Sequence, residues 1–149
     1  AQVTEQVQSY KAAYEKEGHA APVDVSLRVP VYLAETKESA INEPEHSFMR
    51  QTARLRTQLT GPTSAISVAD ERSRATRAKS LASITWEDVR REKVIVGTPE
   101  MVIEQIKELQ EALHLTEIVA EFNAGELIPQ EHIERSLRLF CEKVIPAFK

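Results

Sequence analysis

The sequence predicts a helix-rich α/β fold with about two parallel strands, arranged as the closing part of a β/α barrel. Three observations carry this expectation. Two β-branched apolar runs, DVSLRVPVYLA and TEIVAEF, are each followed by helix-patterned sequence, as parallel βα units are. No Asn-Gly or Asp-Gly pair occurs, so the tight turns of antiparallel hairpins have no signal. The last third runs capped helix, strand, glycine-containing loop and helix.

Taken in order, Val3, Val7, Tyr10 and Tyr14 recur at helical spacing and predict an amphipathic helix over 2–17, stopped by Gly18. Pro22 blocks any continuation. Val25, Leu27, Val29 and Val31 alternate and predict a strand over 24–33. Pro30 brings no ladder donor, so it belongs at a bulge or where a neighbouring strand departs. Arg28 has the opposite parity and reads as a ligand-facing cation or as a solvated, salt-bridged residue.

Residues 36–93 are less determinate. Thr36 can cap a short helix over KESAIN, and Pro44 interrupts or restarts it. Phe48, Thr52, Leu55 and Leu59 share a helical face, predicting a helix to about 59, and TGPTSAIS breaks it. ADERSRATRAKS is polar on nearly every side and predicts a solvated helix or a mobile loop. Thr85 with Asp88 forms a capping-box-like start. Thr98 and Pro99 open a helix whose Val102, Ile106, Leu109 and Leu113 make one face. Residues 116–122 form the second predicted strand. Pro129 starts a last helix, lined by Ile133, Leu137, Phe140 and Val144 and ended by Pro146.

Composition narrows the function. With 149 residues and 42% apolar content the chain can bury one core. A net charge of −4 and 5% aromatics disfavour nucleic acid, which calls for a basic face or stacking rings. No apolar run reaches the roughly 20 residues of a membrane span. The single cysteine, Cys141, forms no internal disulfide and the polar start lacks a secretory apolar core, so a cytoplasmic location is expected. Cys141 sits beside Phe140 in the last helical pattern and reads as a small core residue.

Metal and nucleophile motifs are missing: the four histidines show no i,i+4 pairing, and neither H-E-x-x-H nor G-x-S-x-G occurs. Gly97-Thr98-Pro99-Glu100 lacks the lysine and further glycines of a phosphate loop and reads as a helix cap. In a β/α barrel the site lies at the carboxyl ends of the strands. Glu35, Glu121 and Asn123 occupy those ends and are the candidates to face a ligand, although finishing strands and capping helices explains them equally.

The chain as a whole resembles the carboxyl-terminal portion of bacterial-luciferase-like, flavin-dependent monooxygenases. The resemblance is carried by SYKAAYEKEGH, DVSLRVPVYLAET, EKVIVGTPEMVIEQIKEL and TEIVAEFNAGELIPQEHIERSLRLFCEKVIPAFK, in that order and spacing. It implies a TIM-type (β/α)8 barrel binding reduced FMN, or the deazaflavin F420, and acting with oxygen on a small organic substrate. It makes 24–33 the seventh strand and 116–122 the eighth, and places 60–80 in a long insertion. There Arg72, Arg74 and Arg77 become candidates to close over flavin or substrate. The segments that grip the flavin phosphate in that family have no counterpart here. The resemblance therefore implies a segment inactive alone, completed by a missing amino-terminal barrel portion or by homo-oligomerisation through unpaired sheet edges. The other expectation is a non-catalytic, α-rich interaction module docking through the Val3/Val7/Tyr10/Tyr14 and Ile133/Leu137/Phe140/Val144 stripes.

Overall fold

The computed structural model describes residues 2–19, 21–61 and 68–149. Helix α1 (Gln2–Lys16) leads to strand β1 (Ser26–Leu33). Between β1 and the short strand β2 (Ile95–Gly97) lie helices α2 (Lys37–Asn42), α3 (Glu45–Thr60), α4 (Val68–Ala82) and α5 (Trp86–Glu92). Helix α6 (Pro99–Leu113), strand β3 (Glu117–Glu121) and helix α7 (Gln130–Leu139) close the chain, followed by a π-helical turn over Phe140–Val144 and a 3-10 turn over Ile145–Phe148.

The two anticipated strands are direct neighbours, and they run parallel in the register Ser26↔Glu117 to Pro30↔Glu121. A third strand, β2, pairs with the other edge of β1, from Val31↔Ile95 to Leu33↔Gly97, giving an open parallel sheet ordered β2-β1-β3. Three residues are too few to show a period, which is why β2 left no signal of its own.

The ladder explains Pro30. The carbonyl of Val25 accepts from Thr116 N, while Ala34 N reaches Gly97 O, so odd residues of β1 turn their backbone groups to β3 and even ones to β2. The missing donor of Pro30 thus falls on the β2 edge, one residue before β2 begins at Ile95. Beyond the end of β3, the odd-numbered Leu33 N donates to Ser136 Oγ of α7 at 2.8 Å, and both groups are buried.

Alternation along β1 builds two cores. Val29, Val31 and Leu33 pack with Ile95, Val102, Ile106 and Val144 under α6 and the final turns. Tyr32 and Ala34 face the other way, into Ala40, Phe48, Val89, Val96, Ala124 and Ile128. That second cover reaches only the carboxyl half of the sheet, because Ser26, Arg28, Glu117 and Val119 on the same side stay exposed.

Local signals mostly held. Gly18 adopts a left-handed φ of +69° just past α1. Thr36 Oγ1 accepts from Ser39 N, capping α2. Thr98 stands at the N-cap of α6, but its hydroxyl donates to Glu100 Oε2 at 2.8 Å instead of capping the backbone. Helix α3 buries only its first turn, at Ser47 and Phe48, and leaves Leu55 exposed. Cys141 is exposed, contrary to the expectation of a core residue. Phe140 and Val144 of the π turn take the inward positions, and their neighbour Cys141 is rotated outward. Over the anticipated insertion 60–80, residues 68–80 lie in α4, which packs on α3, and not in a loop, while 62–67 lie outside the described residues.

The capping box of α5 is complete: Thr85 Oγ1 accepts from Asp88 N, and the Asp88 carboxylate accepts from Thr85 N. We predict that Thr85→Ala costs about 1 kcal/mol in urea melts. The hydrogen bonds from the Thr85 side chain and backbone hold the Asp88 carboxyl below its ordinary value of 3.8. Its contribution is therefore complete above that pH and is lost as the pH falls through the lowered value. The variant should show a shallower acid limb than the parent.

Candidate functional site at the strand ends

Parallel strands bring their carboxyl ends to one side, so Glu35, Thr98 and Glu121–Asn123 fall along one rim of the sheet. Under this rim lies a polar cluster joining β1, α2 and α7. The wholly buried Tyr32 donates its hydroxyl hydrogen to Glu43 Oε2, and Arg135 Nη2 donates to the same carboxylate oxygen. Arg135 Nη2 also lies 3.2 Å from the Tyr32 hydroxyl oxygen. His132 Nδ1 is 3.6 Å from Glu43 Oε2, and Arg135 Nε is 3.6 Å from Glu35 Oε2.

Burial pushes the Tyr32 hydroxyl well above its ordinary 10.0, and the Glu43 hydrogen bond pushes it further, so the hydroxyl stays protonated and serves as a donor. Burial works to lower the Arg135 value, but its contacts with Tyr32 and Glu43 outweigh this and raise it. One carboxylate thus gathers a phenol and a guanidinium, with an imidazole close by. Nothing in the spacing of residues 32, 43, 132 and 135 announces this; the only local clue is that His132 and Arg135 share a helical face.

The second feature is the bare half of the sheet. On it, Arg28 reaches diagonally to Glu121, with Nε at 3.2 Å and Nη2 at 3.1 Å from Oε2. Ser26 Oγ donates to Glu117 Oε2 at 2.7 Å, and the exposed Val119 lies level with Arg28. Of the two readings of Arg28, the structure realises the salt bridge, and it does so on the side away from α6.

The sequence candidates fall into two groups. Glu35, Glu121 and Asn123 stand at the strand ends: Glu35 is exposed and tied to Arg135, Glu121 is paired with Arg28, and Asn123 is exposed with its carbonyl accepting from Glu126 N. The arginines lie on α4. Arg74 is committed to the fold, since its Nη2 donates to the carbonyls of Gln58 and Leu59 at 3.0 and 3.1 Å and so closes the end of α3. Arg72 and Arg77 are exposed on the same helix. No helix among the described residues is long and apolar enough to cross a membrane.

Three parallel strands with one face under helices and the amino-terminal half of the other bare define an incomplete β/α barrel. The luciferase-like monooxygenase family model matches residues 1–115, and the chain belongs to that family. Solved structures share the fold, two of them as follows. A monooxygenase, RslO1 from Streptomyces bottropensis, matches with a TM-score of 0.65 and 24% identity over 99% of this chain and 38% of its own. A riboflavin lyase, RcaE, solved with modified FMN and its substrate riboflavin, matches with a TM-score of 0.57 and 24% identity over 99% of this chain and 36% of its own. The chain therefore spans well under half the length of these structures and corresponds to part of the family's TIM-type barrel. No curated protein matches the sequence.

Proposed function

We propose that this chain supplies the last two strands and closing helices of a flavin-dependent oxidoreductase barrel. The observation that carries the reading is the parallel β1–β3 pair with one face under α6 and the final turns and the amino-terminal half of the other polar and bare. In a closed barrel the bare face is the interior and the strand ends are the rim of the site. On this reading β1 and β3 are the seventh and eighth strands. The lower β1 edge, opposite 26–30, and the far edge of β3 are where an amino-terminal barrel portion, or a second copy, pairs.

The residues present fit one part of a flavin. Glu35, Glu121 and the Asn123 amide can accept hydrogen bonds from ribityl hydroxyls or a ring N–H, and Asn123 can also donate. They do not fit its phosphate, because the rim is rich in carboxylates and the arginines nearest it, Arg28 on the sheet face below and Arg135 under the rim, are already paired. Two cavities of the described residues also lie away from the rim, about 270 Å³ between α1 and α6 and about 570 Å³ along Arg50–Gln58 of α3. The phosphate grip thus belongs to other residues of the barrel, and the chain alone does not turn over.

When bound, reduced FMN or F420 supplies the redox chemistry with oxygen on a small organic substrate. The residues of this chain bind, orient and exclude water. Arg72 and Arg77 are exposed on α4 and can close over an anionic ligand. A soluble, cytoplasmic setting is part of the same proposal. The interaction-module reading has less support, because Ile133, Phe140 and Val144 of its second stripe are drawn into the cores.

The test is a titration with oxidised and reduced FMN followed by flavin fluorescence. We expect saturable binding in the complete barrel and at least tenfold weaker binding by residues 1–149 alone. Equal affinity would place the whole cofactor site in these residues and overturn the division proposed here.

A further inference from the structure

The loop that follows β3 is held from outside, by the first half of α3. Ser47 Oγ, buried, donates to Ala124 O at 2.7 Å and accepts from Leu127 N at 3.1 Å. One turn on, Arg50 Nη1 donates to Gly125 O at 3.1 Å. A further turn on, Arg54 Nη1 pairs with Glu126 Oε2 at 2.9 Å. Ser47, Arg50 and Arg54 stand at i, i+3 and i+7, one face of a helix. They engage residues 124 to 127 without a gap.

The loop needs such support. Gly125 and Glu126 both adopt left-handed φ, +89° and +61°, and two such residues in succession are an unfavourable local choice. Three of the four contacts go to the loop backbone, so they fix its path whatever its side chains are. That path begins at Asn123, two residues past the end of β3. Helix α3 belongs to the stretch inserted between β1 and β2, so a contact formed inside the insertion sets the geometry of the last strand's rim.

We propose that Ser47 is a positioning residue for the flavin pocket: by locking loop 123–128 to α3, it fixes the place of Asn123 at the rim. The pocket half of this proposal rests on the flavin reading above. The lock itself does not.

Two readouts separate them. In amide hydrogen exchange on the protein, Ser47→Ala should speed the Leu127 amide by about tenfold or more, the scale of one or two lost hydrogen bonds, with slow amides of β1 little changed. Exchange within about twofold of the parent would overturn the lock, taking a change far below one hydrogen bond as none. In FMN titration of the complete barrel, Ser47→Ala should weaken binding by about tenfold, and Ser47→Thr, which keeps the hydroxyl, should restore most of it. Unchanged FMN affinity with a loosened loop would overturn the positioning role alone. A parent that binds no FMN would overturn the flavin reading and this positioning role, while the exchange result still decides the lock. Should Ser47→Ala fail to fold, the exposed pair serves: Arg54→Gln should speed exchange across 124–127 and Arg54→Lys should restore protection, and no effect of Arg54→Gln would count against the lock.

Discussion

Replacing Gly125 with alanine should destabilise the protein by about 3 kcal/mol or more, the sum of a left-handed backbone penalty and an overpacked contact. The backbone conformation comes first: at a φ of +89° any Cβ is strained. The contact comes second. A Cβ here would lie 2.6 Å from the carbonyl carbon of Ser47 and closer still to its oxygen. The obstacle is the backbone of a buried helical turn, which cannot swing aside as a side chain tip can. For a chain of this size the loss corresponds to a fall in Tm of roughly 6–12 °C. Gly18→Ala is the matched control. It shares the left-handed φ, at +69°, but nothing lies within 4 Å of its Cβ, so only the strain of about 1–2 kcal/mol remains. Melting both variants separates the two causes. Equal shifts would mean that the approach of loop 123–128 to Ser47 does not exist in solution.

That comparison also shows where the sequence was legible. Features written in neighbouring residues could be read: the alternation of β1, the box at Thr85 and Asp88, the stop at Gly18, and the face of α6. The βα order of these segments then implied the barrel portion and, with it, the strand-end positions of Glu35, Glu121 and Asn123. Features written across the chain could not be read. Ser47 and Gly125 are ordinary residues in their own surroundings, and only the fold makes one the obstacle to a side chain on the other. Strand β2 is defined by what it pairs with, since three residues carry no period of their own. Arg74 looked like part of a ligand-seeking cluster because the carbonyls it closes, at Gln58 and Leu59, lie across a segment whose path no local rule specifies. Cys141 was misplaced for a geometric reason: a π turn replaces the regular helix over Phe140–Val144.

The polar cluster beneath the rim is the strongest case of the same kind, and it yields the other large effect. Glu43 is the acceptor on which Tyr32 and Arg135 converge. Removing it as Glu43→Ala strands the phenol in the core and leaves the guanidinium with only the exposed Glu35, 3.6 Å from its Nε, as counter-charge. Breaking a fully buried pair in this way costs roughly 3–5 kcal/mol. The side chains of Glu43 and Arg135 keep 21% and 33% exposure, so solvent screens part of the loss. We expect about 2 kcal/mol, a fall in Tm of about 4–8 °C. Tyr32→Phe should cost less, about 1 kcal/mol, because Arg135 still satisfies the carboxylate. The alkaline limb distinguishes the roles. The Tyr32 value is raised in the fold by burial and by Glu43, so its contribution is complete below the ordinary 10.0 and is lost as the pH climbs above it. Tyr32→Phe should therefore be less stable at neutral pH yet lose less on going above pH 10. The decisive measurement is a double-mutant cycle. If the cluster acts as a unit, adding Arg135→Ala to Glu43→Ala should cost little more than Glu43→Ala alone, because the partner is already gone. Fully additive costs would mean that α2 and α7 are held by separate contacts, and that the convergence on Glu43 does not join β1, α2 and α7.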